Sequence, residues 1–63
     1  MELPVEQRQQ MIDQRLEQYK VQLFQLSMDR TALESAGDTA GVQSVDKRIE
    51  AIRKAYSAVE GMV

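Results

Sequence analysis

The sequence has 63 residues, eight basic and ten acidic side chains, and a formal charge of −2 at neutral pH. It contains no Cys, His or Trp, which excludes a disulfide framework, a Cys/His zinc site, a thiol nucleophile and a histidine general base. A chain this short is one domain at most, spanning 1–63, and with disulfides and metals excluded, oligomerisation is the remaining way to staple so small a core.

The first element in chain order is a helix over about 4–36. This stretch has no internal Gly or Pro after Pro4 and is rich in Gln, Glu, Leu and Arg, all good helix formers. Pro4 suits a first helical turn, where its missing N–H costs nothing, and Glu6 lies near the positive end of the helix dipole. The only cluster of breakers follows, at Gly37-Asp38-Thr39-Ala40-Gly41, and predicts a turn over 37–41. Gly37 is placed to take the left-handed conformation after the helix end, and Asp38 or Thr39 to cap what comes next. A second helix is predicted over about 39–60, with Gly61 at its fraying end.

Hydrophobic spacing is the strongest signal. In the first helix Val5, Gln9, Ile12, Leu16, Tyr19, Leu23, Leu26, Arg30 and Leu33 recur alternately every four and three residues. In the second, Val42, Val45, Ile49, Ile52, Tyr56, Val59 and Val63 do the same. Such spacing is a coiled-coil or bundle seam. A short connection makes the helices antiparallel. Folding the chain about it sets Leu33 opposite Val45, Leu26 opposite Ile52, Leu23 opposite Tyr56, Tyr19 opposite Val59 and Leu16 opposite Val63. The fold class expected is therefore all-α, an antiparallel two-helix hairpin with a long first helix and a shorter second one. At ~1.5 Å per residue the helices measure about 48 and 33 Å, so the first projects past the end of the second. Val5, Met11 and Ile12 on that overhang are left without a partner in the hairpin.

Each helix also carries apolar residues off the seam. Val21, Phe24 and Met28 lie roughly 165° around the first helix from its seam, at ~100° per residue. Ala51, Ala55, Ala58 and Met62 form a stripe of small residues and Met beside the seam of the second. A lone hairpin would leave these in water. They are read, with Val5, Met11 and Ile12, as a partner interface, and the hairpin is expected to assemble into a helical bundle or coiled-coil oligomer.

Polar features support no chemistry. Arg30 is the one charge in the seam, and its head is expected to snorkel to Glu34, Asp46 or Glu50. Gln9 is read equally as an orienting buried polar group or a solvated one. Lys47, Arg48, Arg53 and Lys54 are the only candidate nucleic-acid contact. They scatter around the helix, Asp46 and Glu50 sit among them, and no aromatic interleaves. The carboxylate pairs Asp13 with Glu17 and Asp46 with Glu50 have no cleft to shift a pKa, and the serines have no base to activate them. No cofactor, metal or small-molecule substrate is expected. A pI near 4.9 gives no reason to invoke nucleic acid. No apolar run of ~18 residues exists to span a membrane, and Met1-Glu2-Leu3-Pro4 lacks the regions of a signal peptide.

The two-helix plan resembles the plasmid copy-number hairpins that dimerise into four-helix bundles and bind paired RNA loops. The resemblance is one of architecture; no motif residue matches and no functional residue carries over. The function expected is non-enzymatic: a structural, assembly or protein-interaction module acting through helix–helix contacts with itself or a larger protein assembly. A small subunit of a particle such as a phage virion would fit, in the cytoplasm or within the viral particle. The alternative is a small dimeric nucleic-acid-binding regulator using the basic cluster.

Overall fold

The computed structural model describes residues 3–63; Met1 and Glu2, part of the terminus read above for a signal peptide, lie outside the described residues. Two helices form, α1 over Val5–Ser35 and α2 over Thr39–Glu60, and they pack against each other. The molecule is a rod of 50 × 15 × 15 Å. Its long dimension is α1 itself, since 31 residues rise about 46 Å.

Pro4 sits one position earlier than expected. It is the N-cap of α1, in extended conformation at φ −54° and ψ 149°, with no side-chain cap. Its carbonyl still accepts from the Arg8 N–H at 3.0 Å. At the other end, Gly37 takes φ +74°. The Asp38 N–H donates to the Leu33 carbonyl at 3.0 Å and the Gly37 N–H to that of Glu34 at 3.1 Å. This pair of bonds is a Schellman closure, and its left-handed residue favours glycine.

Asp38 then serves immediately as the N-cap of α2, its Oδ1 accepting from the Gly41 N–H at 2.8 Å. The connection is thus Ala36 to Asp38; α2 spans Thr39–Glu60, matching the expected second helix, so Thr39, Ala40 and Gly41 of the predicted turn over 37–41 belong to α2. Gly41 is no breaker. A Cβ there would lie 2.6 Å from Asp38 Oδ2 and 3.1 Å from Leu33 Cδ2. The residue is small because the capping carboxylate and the end of α1 press on it. Asp38→Ala is expected to cost about 1 kcal/mol, read as a lower denaturation midpoint with unchanged slope.

The seam forms as the spacing predicts. Every seam residue from Gln9 to Leu33 and from Val42 to Val59 is buried or half-buried. Among the described residues only Leu26 and Val45 are buried outright. Between them, Arg30 Nε donates to Asp46 Oδ1 at 2.7 Å, tying α1 to α2. Leu23 and Tyr56 line one hollow between the helices, in keeping with the expected register. The two ends of the seam are open. Val5 is exposed, as expected of the overhang. Val63 is exposed as well, lining an open hollow with Arg8, Gln9 and Ile12 of α1, whereas the expected register sets Leu16 opposite it. Gly61, the C-cap of α2, has φ −69° and is not left-handed.

Candidate functional site

The hairpin uses one face of each helix on the other, so what each helix presents elsewhere decides what the molecule can do. On α1 the face opposite the seam carries Val21, Phe24 and Met28, which are 50%, 66% and 52% exposed. These positions lie on a second track of alternating four and three, running Gln7, Gln10, Gln14, Glu17, Val21, Phe24, Met28, Thr31 and Ser35. The back of α1 thus has a heptad register of its own, apolar from Val21 to Met28 and polar on either side. Gln14, Glu17, Gln18, Val21 and Gln22 line a shallow hollow along it. The sequence reading picked out the three apolar residues and missed the glutamines that continue their row.

The other predicted interface residues do not join this face. Ala51 and Ala58 are exposed on α2, whereas Ala55 is half-buried, being turned closer to the seam. The small-residue stripe is therefore partly spent on the hairpin itself. At the overhang, Val5 and Met11 are exposed and Ile12 is half-buried. Met62 and Val63 reach the same hollow, of about 420 Å³, which Leu3, Val5, Met11 and Ile12 also line. This corrects the expectation that Ile12 has no partner inside the hairpin: the residues after α2 run on toward it. The ten predicted residues form three surfaces, namely the back of α1, the flank of α2, and the hollow at the overhang.

Charge is largely self-neutralised. Arg30 donates to Asp46 and, through Nη1, to Glu34 Oε2 at 2.9 Å. The bond to Asp46, and then the charge of that carboxylate, hold the Arg30 pKa above its ordinary value, against a smaller opposing effect of desolvation. The guanidinium therefore stays charged, and the link between helices does not switch from its side. Gln9 Nε2 donates to Asp13 Oδ1 at 3.0 Å. In the basic cluster Lys54 Nζ lies 3.5 Å from Glu50 Oε1. Arg53 lines a hollow together with Arg30, Asp46 and Glu50, two cations against two carboxylates. Lys47 and Arg48 are exposed. The four basic residues make no common cradle for a phosphate.

Among the described residues no group of three or more carboxylates is gathered as a metal site. None of the helices described is long and apolar enough to cross a membrane. Comparison with known protein families, curated proteins and solved structures finds no match.

Proposed function

We propose that this protein is a non-enzymatic assembly module that works through helix–helix contacts. The observation that carries the reading is the exposure of Phe24, with Val21 and Met28 beside it in heptad spacing, on a helix whose opposite face already closes the hairpin. Isolated exposed apolar residues are ordinary, but a spaced row of large ones marks an interaction surface. Covering these three side chains is worth on the order of 3 kcal/mol per chain, taking half of the ~2 kcal/mol that full burial of each contributes. The overhang and the exposed alanines of α2 offer further contact to a larger assembly, and a subunit of a particle such as a phage virion is a setting in keeping with the size. The regulator alternative is weaker, because the carboxylates Asp46 and Glu50 stand among the basic residues it needs.

Phe24→Asp tests the reading. The side chain is not part of the seam, so the variant is expected to keep its helical spectrum and lose mass by light scattering, or lose its partner. Unchanged mass together with unchanged partner binding would remove the proposal.

A further inference from the structure

The total accessible surface is 5122 Å². A folded monomer of 7.2 kDa exposes about 4,100 Å² by the usual scaling of surface with mass. The excess, roughly 1,000 Å², is close to the ~800 Å² that each partner contributes to an interface of standard size. That excess comes from the elongated shape of a rod two helices wide, and it is area enough for one subunit's share of such an interface.

The back of α1 is where that surface is both apolar and compatible with its own copy. Within the row Gln10 and Gln14 precede Glu17, and beside it Gln18 and Gln25 form one border while Asp13, Lys20 and Ser27 form the other, so an identical face meets few like charges. The one charge inside the row is Glu17, and it decides the direction. In a parallel pair Glu17 stands against the Glu17 of the second copy. In an antiparallel pair that sets Phe24 against Met28 and Met28 against Phe24, Val21 falls level with Thr31 and Glu17 level with Ser35. The alternative antiparallel register, Val21 against Phe24, would seat Glu17 on Met28 and strand a charge on apolar surface. Antiparallel helices also oppose their dipoles, which a parallel pair aligns.

We infer that a second copy of this chain covers the back of α1, the two α1 helices running antiparallel with the two-fold axis level with Leu26, between Phe24 and Met28. The two hairpins then form a four-helix assembly with α1 helices inside and α2 helices outside. This rests on the assembly reading above and names its partner.

The absence of cysteine makes the test clean, because a single introduced thiol can cross-link only between chains. Light scattering on the wild-type chain from ~10 µM to ~1 mM is expected to show the mass doubling from 7.2 kDa. A short thiol–thiol linker is expected to capture Gln25→Cys, close to the axis, as a dimer. The same linker should leave Gln10→Cys uncaptured, because antiparallel pairing holds the two copies of position 10 on the order of 50 Å apart. Phe24→Asp should stay monomeric at every concentration, with helicity by circular dichroism as the control for folding. Capture of both cysteines would mean a parallel pair and overturn the inference. So would a dimer in which neither is captured, or one that survives Phe24→Asp. A helical wild-type chain that stays monomeric at the highest concentration also overturns self-pairing. The assembly reading then fails separately, only if Phe24→Asp also leaves binding to every isolated partner unchanged.

Discussion

Leu26→Asp is expected to abolish the hairpin. Leu26 is 7% exposed, the least of any described residue, and it lies within the seam between the two helices. Shortening a buried Leu to Ala commonly costs about 2–5 kcal/mol, and an unpaired carboxylate in the same place costs more, because its desolvation is not compensated. Arg30, one helical turn on, already donates to Asp46 and Glu34. Whole domains are stable by only about 5–15 kcal/mol, and a chain of this size sits at or below the low end. Most of the helical circular dichroism should be gone at 25 °C, and Ile52→Asp, on the opposing strip of the seam, should do the same. A cooperative melt within a few degrees of the wild type would show that the seam does not hold the fold. The contrast with Phe24→Asp, on the same helix two residues away, separates the face that closes the hairpin from the face that remains outside.

That separation was legible in the sequence because helices translate spacing directly into faces. The seam from Gln9 to Leu33 and from Val42 to Val59 follows from the three-four alternation alone, and even the charged member, Arg30, finds two of the three carboxylates its reach allowed. The turn was only half legible. Gly37 is specified by its own backbone, whose φ of +74° is a local property. Gly41 is specified by atoms of Asp38 and Leu33, a contact that composition does not encode, so a pair of glycines four apart reads as a longer loop. The same holds at the far end. That Met62 and Val63 run on past α2 to the hollow beside Ile12 depends on how the residues after the last helical turn continue. The second heptad row on α1 was visible at Val21, Phe24 and Met28. It was hidden toward the N-terminus, where glutamines occupy the same positions and carry no hydrophobic signal. Ala55 differs from Ala51 and Ala58 only in angle from the seam, a distinction too fine for a stripe of identical residues to reveal.

Amide hydrogen exchange on the monomeric chain is expected to divide α1 into two unequal parts. From about Tyr19 to Leu33 the helix is backed by α2, and its amides should open only with the whole hairpin. From Val5 to about Asp13 no helix lies opposite, and Met62 and Val63 give the only cover from the far end of the chain. A free helical segment of about ten residues is marginal in water, since helices shorter than ~12–15 residues are not stable alone. Attachment to a formed helix spares it the cost of nucleation, so it should fray from Val5 inward rather than be absent. Protection is therefore expected to fall by a factor of ~100 or more from Leu26 to Val5, with the steepest drop near Leu16, just past the end of α2. Uniform protection along α1 would mean that the overhang is held by something other than the hairpin, and in a dilute monomer that leaves only the contact with Met62 and Val63. Deleting those two residues would then move the boundary toward the turn. If protection of the overhang rises instead with protein concentration, a second chain supplies it. The length of helix that becomes protected would map how far that chain extends beyond Glu17 toward the N-terminus.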